Sequence, residues 1–221
     1  SIPLAGDCGS VSATGTITVK GCGAYVANGE WKAFRCHNLG ADENADPFTP
    51  DWKLNGHYYQ WGRSVVAANG PTGSSAGEAN AGAITGWNTS PASNGAWADG
   101  NKTANDPCPA GFRVPTKAQW DAVLDATLNP TRSYPGTWSP NNTNYSSGLR
   151  IGSGATGLFL PAAGFRWFLF DGALSNRGSQ GYCWSSTESG SNAWRLNFLN
   201  GNATTNFTNR TDGMSVRCVA E

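Results

Sequence analysis

The sequence predicts an α+β fold: a mostly antiparallel, twisted sheet with one or two packed helices and long loops. Three observations carry this expectation. After Gly157, several runs place apolar residues at every second position, the period of a half-buried strand. Between Thr116 and Leu128 they recur at helical spacing instead. The composition, with 29 glycines, 12 prolines and only 14% charged residues, belongs to a turn-rich chain, and ten tryptophans exceed what a helical bundle of this size needs.

"TGTITVKG" (14–21) alternates Ile17 and Val19 with threonines and lysine and reads as a strand. "AYVANGEWKAF" (24–34) carries Asn28-Gly29 between two apolar runs and reads as a hairpin. Residues 1–28 are taken as an N-terminal β extension and 29–221 as the main domain. From Ser64 to Asn105 the chain is Gly, Ala, Ser and Asn with few apolar residues besides Trp87 and Trp97, so 64–105 is expected to be a long surface insertion pinned by those rings.

In "CPAGFRVPTKAQW" (108–120), Thr116 precedes Gln119 by three positions, a capping box. Trp120, Val123, Leu124, Thr127 and Leu128 continue the helix and Pro130 ends it, predicting about 13 residues. Pro115 precedes the cap, where an extended conformation is natural. Beyond Gly157, "LFLPAAGFRWFLFDG", "GYCWSSTE", "NAWRLNFLNGNATTNF" and "GMSVRCVAE" read as strands. Trp194, Leu196 and Phe198 share one face, Asn200-Gly201 supplies a hairpin turn, and Met214, Val216 and Cys218 alternate in the last run.

Fifteen basic residues balance fifteen acidic ones, which leaves no electrostatic footprint for nucleic acid or an anionic membrane. No apolar run approaches the roughly 20 residues of a membrane helix. Ser1 opens neither a signal peptide nor a lipid-anchor motif, and with Met214 the one methionine the chain reads as a mature or excised segment. The six cysteines, Cys8, Cys22, Cys36, Cys108, Cys183 and Cys218, form no C-x-x-C pair and sit near no histidine cluster, which argues against zinc. Their even, scattered count fits three disulfides in an oxidising compartment, against the alternative of buried thiols, and spacing does not choose among the 15 pairings.

Catalytic patterns are sparse. Of two histidines, His57 lies in an apparent strand, and His37 neighbours Cys36, whose side chain would point to the opposite face. Asp171, Glu188 and Asp212 lie near strand ends, yet nothing brings two of them to the separation of about 5 to 9.5 Å that glycoside hydrolysis needs. Asp42, Asn44 and Asp46 are spaced as the first three ligands of a calcium loop. Pro47 and Lys53 stand where an EF-hand wants glycine and glutamate, so only a partial, non-EF calcium site could form, and no other cofactor is expected. The remaining signal is aromatic: "FRWFLF" places Phe165, Trp167, Phe168 and Phe170 where one strand face cannot bury them all. Rings flanked by amides and acids suit sugars, since the ring face stacks on C–H groups. Trp87, Trp97, Trp167, Phe168, Phe170 and Asp171 are therefore the candidate ligand-binding residues; Trp52 and Trp61 carry the same ambiguity between ligand and core.

"HNLGA", "NGHYYQWGR", "DPCPAGFRVPTKAQWDAV", "LPAAGFR", "GYCWSSTE" and the terminal "SVRCV" occur in an order that resembles the Fibrobacter succinogenes major paralogous domain family, common in surface and secreted proteins of Bacteroidetes and related bacteria. The likeness runs from about residue 30 to 220. It implies a fold similar to C-type lectin-like domains and to the formylglycine-generating enzyme superfamily, whose "R-L-P-T-E-A-E-W" segment Arg113 to Trp120 resembles. The close cysteine pair that binds copper in those enzymes has no counterpart beside Cys218, and the calcium-dependent sugar motifs of C-type lectins do not occur. The resemblance also implies a Cys108–Cys218 disulfide; Cys36 and Cys183 stand where the family has other residues, which implies that they pair with each other, and Cys8–Cys22 is left to clip the N-terminal extension. The expected function is a secreted or cell-surface binding or adhesion domain, non-enzymatic, with a glycan or surface protein as partner. A structural module of a larger surface or fimbria-like assembly is the second expectation, and a polysaccharide-active enzyme the third.

Overall fold

A computed structural model describes residues 21–73 and 80–221. Cys8 and all but the last residue of the strand expected at 14–21 lie outside the described residues. β1 (Gly23–Ala27) and β2 (Glu30–Ala33) form the antiparallel hairpin expected around Asn28-Gly29, and Gly29 takes the positive φ of +74° that the tight turn requires. The boundary drawn between residues 28 and 29 falls within this turn, so the two sides of it belong to one unit. A 3-10 turn (Trp52–Leu54) leads to β3 (Tyr58–Gln60) and β4 (Val66–Ala68). β5 (Phe112–Arg113) and α1 (Lys117–Leu124) follow, then β6 (Arg132–Ser133), β7 (Gly148–Ile151), β8 (Leu158–Pro161), β9 (Phe165–Trp167) and β10 (Ala173–Ser175). The long strands come last: β11 (Gln180–Ser189), β12 (Asn192–Leu199) and β13 (Asn202–Asn209), then the short β14 (Gly213–Met214) and β15 (Val219–Ala220).

The strands make three larger sheets, ordered β10-β9-β14-β3-β4, β11-β12-β13 and β6-β7-β8, with β1-β2 and β15-β5 as pairs, and every strand pair is antiparallel. The domain is mainly β, with one α-helix among the described residues. β11 slips its register against β12 between Trp184 and Glu188. There the Trp184 N–H bonds Ser215 O (3.0 Å) and the Ser186 N–H bonds Pro115 O (2.8 Å), so the sheet curls toward β14 and the helix start.

The capping box forms as expected: Thr116 Oγ1 accepts from the Gln119 N–H, and Gln119 Oε1 accepts from the Thr116 N–H. The helix is shorter than expected, eight residues rather than about 13. Asp125 ends it by accepting from both the backbone N–H and the hydroxyl of Thr127 (2.7 Å each), a local bond that competes with helix propagation. Trp120 and Val123 are fully buried, against Phe34, Leu149, Leu196 and Phe198. A second cluster holds Trp61, Trp97, Trp184 and the Cys108–Cys218 bridge, and a third gathers Tyr58, Ala68 and Trp87. The 64–105 segment is therefore more than a surface insertion. It supplies β4 and two core tryptophans, since a stretch this poor in aliphatics can dock only through its few large rings.

So many loops leave many backbone carbonyls without ladder partners, and buried side-chain donors take them up. The indole N–H of Trp61 reaches Ser185 O (2.9 Å), Trp97 reaches Asn105 O (2.8 Å), Trp120 reaches Trp184 O (3.0 Å) and Trp184 reaches Tyr59 O (2.7 Å). Arg217, 1% exposed, donates to the carbonyls of Arg35 (3.3 Å), Cys36 (2.8 Å) and Phe159 (2.9 Å) and to Asn38 Oδ1 (3.1 Å). Arg210 does the same for Ala92, Gly190 and Asn192, and Arg166 for Asn80, Gly82 and Gly172.

Among the described residues two disulfides are present, Cys22–Cys36 and Cys108–Cys218. The first replaces two expected pairings, Cys8–Cys22 and Cys36–Cys183. The β1-β2 hairpin extends through the Phe34 N–H to Cys22 O bond (2.8 Å) and brings Cys36 beside Cys22, with Cα atoms 5.1 Å apart. Cys183, in mid-β11, points into the main core as a buried free thiol.

Two stability measurements check this account. In the chain-entropy model the 110-residue loop of Cys108–Cys218 is worth about 4.7 kcal/mol and the 14-residue loop of Cys22–Cys36 about 3 kcal/mol. Urea unfolding of the two double-serine variants is expected to show the larger loss at 108/218. In the same assay, Arg217→Met is expected to cost about 3 kcal/mol or more, because it strands several buried acceptors. Arg63→Met, which removes one exposed bond to Ser90 O, is expected to stay within about 0.5 kcal/mol.

Candidate functional site

The expected ligand-binding residues divide sharply. Trp87 and Trp97 are 8% and 1% exposed, and their indole N–H groups are bonded to Thr211 O (3.1 Å) and Asn105 O (2.8 Å). Both are core anchors of the loop. Trp61, fully buried, is another such anchor. Trp167, Phe170 and Asp171 lie together on the surface.

The surface cluster grows from the β9-β10 hairpin. β9 runs into a 3-10 turn (Phe168–Phe170), Asp171 takes the left-handed conformation (φ +49°), Gly172 follows at φ +73°, and β10 returns with Ala173 opposite Trp167. Gly172 must lack a side chain, since a Cβ there would lie 2.2 Å from Trp87 Cε3. The underside is fixed in several ways. Phe168 packs on the Tyr58, Ala68 and Trp87 cluster, and its N–H donates to Asp212 Oδ1 (3.2 Å). Arg166 holds Gly172 O (3.2 Å), and the Ile84 N–H holds Asp171 O (2.8 Å).

With those groups tied down, Trp167 (36%), Leu169 (63%) and Phe170 (58%) stand exposed. The Trp167 and Phe170 rings lie 4.8 Å apart, and Phe165 extends the row 6.1 Å from Trp167 and 5.0 Å from Tyr182. This apolar ridge is rigid at its base and open at its crest, with the Asp171 carboxylate at its end. Sequence periodicity identified the aromatics but not which of them face out. Leu169, the most exposed of the three, was missed because an isolated leucine carries no sequence signal.

The other sequence candidates have structural occupations. Asp42 Oδ1 accepts from the Asn44 N–H (3.0 Å) and side-chain amide (3.2 Å), while Asp46 accepts from the Phe48 N–H (3.1 Å) and the Thr49 hydroxyl (2.6 Å). These bonds hold both carboxyls below the ordinary value, Asp42 chiefly through the Asn44 backbone and Asp46 chiefly through Thr49. Among the described residues no three His, Cys, Asp or Glu side chains converge as metal ligands. His37 Nε2 donates to Ala45 O (2.9 Å), and its neighbour Cys36 is in a disulfide. Burial pushes the Cys183 thiol up to about 12, leaving it a neutral packing group. Glu188 accepts from the Gly95 N–H and lies 3.6 Å from Arg210.

Asp212 is 3% exposed; it accepts from Phe168 and from the Thr208 hydroxyl (2.8 Å), and burial raises its pKa despite those bonds.

These features define a disulfide-stapled, mainly β domain that exposes an aromatic hairpin crest. The chain belongs to the Fibrobacter succinogenes major domain family, whose model matches residues 23–220. Searches of the curated proteins and of the solved structures returned no match. No helix among the described residues is long and apolar enough to cross a membrane.

The raised pKa of Asp212 gives a testable pH dependence. The folded state holds this proton more tightly than the unfolded chain, whose ordinary value is 3.8, so ionisation costs stability as pH rises through and above that value. Asp212→Asn removes the cost and keeps an acceptor for Phe168. The stability of the variant relative to the parent is expected to increase as pH rises from about 3 to about 7, through and above the ordinary carboxylate value. Urea unfolding across that range measures it, and a flat or falling difference contradicts the assignment.

Proposed function

We propose that the chain is an exported, non-catalytic binding or adhesion domain of a bacterial surface or secreted protein, contacting a glycan or surface protein through the Trp167–Leu169–Phe170 crest. The carrying observation is that crest: three large apolar side chains held outward by a base pinned at Phe168, Gly172 and Asp171. Ordering of the surface is achieved on folding, so a ligand would not have to supply it. Exposed aromatics next to a carboxylate suit both sugar stacking and protein hot spots.

Export is supported by the disulfides, which persist in oxidising compartments. A C-type lectin-like arrangement is the finer reading of the fold. It is supported by the Phe34–Val219 bridge, which joins the end of the β1-β2 hairpin to β15, with long loops between.

A second reading, a structural module of a larger surface assembly, draws on β13. This strand is eight residues long and lies at the edge of its sheet, with Phe207 49% exposed, a geometry open to strand addition.

A glycan array together with pull-downs from host and cell-wall material tests the first reading. Binding is expected with the parent chain and is expected to fall roughly a hundredfold in Trp167→Ala/Phe170→Ala. Clean negatives in both assays, or captured ligands indifferent to that double variant, favour the structural module.

A further inference from the structure

A cleft that shares no lining residue with the crest lies where the loop after His37, the 3-10 turn at Trp52 and the chain around Gly70 meet. The cleft has a volume of about 400 Å³, within the range that holds small ligands. Its floor is possible only because three glycines converge. A Cβ on Gly40 would lie 2.2 Å from the His57 ring, one on Gly56 would lie 2.6 Å from Leu39 O, and one on Gly70 would lie 2.1 Å from Gly56 O. Gly40 and Gly56 also take positive φ, +83° and +65°. Backbone packed this closely leaves the side chains at the rim as the groups that determine recognition.

Those side chains are complementary in type. Trp52, half-buried, contributes an aromatic ring. His57 accepts the Gly70 N–H at Nδ1 (3.0 Å), so its neutral ring carries the remaining hydrogen on Nε2, and burial lowers its pKa and favours that neutral form. Asp42 supplies an exposed carboxylate with the second oxygen, Oδ2, outside its turn bonds, and Lys53 an ammonium near the Trp52 ring at 5.9 Å. The Asp42 N–H to Lys53 O bond (3.0 Å) ties the two rim segments together. One carboxylate and one ammonium leave the cleft with no net charge, which disfavours a strongly charged ligand. A ring face, an acceptor and two donors of different geometry match a molecule with C–H groups on one side and hydroxyls around its edge.

We propose that this cleft is a binding site for a neutral pyranose ring, stacked on Trp52, with its hydroxyls donating to Asp42 and accepting from His57 and Lys53. The site is separate from the aromatic crest and stands or falls independently of it.

The test is a two-dimensional amide NMR titration of the full chain with the methyl glycosides of glucose, galactose and mannose and with N-acetylglucosamine, each to tens of millimolar. At least one is expected to shift the Trp52 indole N–H together with the amides of Gly40, Asp42 and Gly70. Trp52→Ala is expected to weaken that binding roughly tenfold, the worth of one stacked ring. Asp42→Asn, at an exposed position that keeps its turn acceptor, provides a second variant and is expected to weaken it severalfold. Trp167→Ala should leave it unchanged. If no glycoside shifts the cleft signals, if the Trp52 and Asp42 variants bind as the parent does, or if the shifts map to the crest and vanish in Trp167→Ala, the proposal is overturned. The last outcome would at the same time support the crest as the ligand site.

Discussion

The fold depends on buried side-chain donors that reach backbone carbonyls of its loops and of its strands. Long stretches of this chain form no ladder, and each enclosed carbonyl without a partner would cost free energy comparable to a lost hydrogen bond. Arg217, Arg210 and Arg166 each gather carbonyls from segments far apart in sequence, and four core tryptophans each add one more. Arg217 joins the chain after β2 to β8, at the same time holding Asn38, whose amide bonds Asn55 O. The guanidinium suits this role because its donors form a rigid planar fork and its charge is spread, so burial among several carbonyl dipoles is tolerable. Burial still draws the Arg217 pKa down, to about 10, which measures the strength of that desolvation.

The same economy of donors explains why the crest is accessible. Arg166, itself in β9, fixes Gly172 O, while Asp212 fixes the Phe168 N–H. With the backbone of the turn held from below, Phe168 serves the core and its neighbours Leu169 and Phe170 project away from it. A 3-10 turn advances about 120° per residue, so three consecutive apolar residues cannot all face one way. An outward apolar surface follows from the local geometry once the inward residue is chosen.

How far the sequence could be read differed with the range of the interaction. The hairpin at Asn28-Gly29 and the capping box at Thr116 and Gln119 were legible because each rests on contacts within a few residues. The helix end was misjudged because Pro130 is a strong stop signal, whereas Asp125 acts earlier through its bonds to Thr127. Trp87 and Trp97 were expected both to pin their polar loop and to be ligand candidates, and they are buried where that loop joins the core. Cys22 and Cys36 pair through the continuation of a hairpin that was itself expected, but the pairing was assigned by resemblance and by remainder rather than from the hairpin.

The sequence by itself determined the strand-rich, turn-rich class, the antiparallel pairing of neighbouring runs, the helix start and the family, since period-two patterning, turn pairs and ordered motifs are all carried by local order along the chain. Only the tertiary structure decided which aromatics face solvent, which cysteine remains a free thiol, and that Trp52, Asp42 and His57 share one cleft. Those outcomes depend on contacts between residues far apart in the chain, above all on which carbonyls the buried arginines and tryptophans reach, and no periodicity in the sequence encodes them.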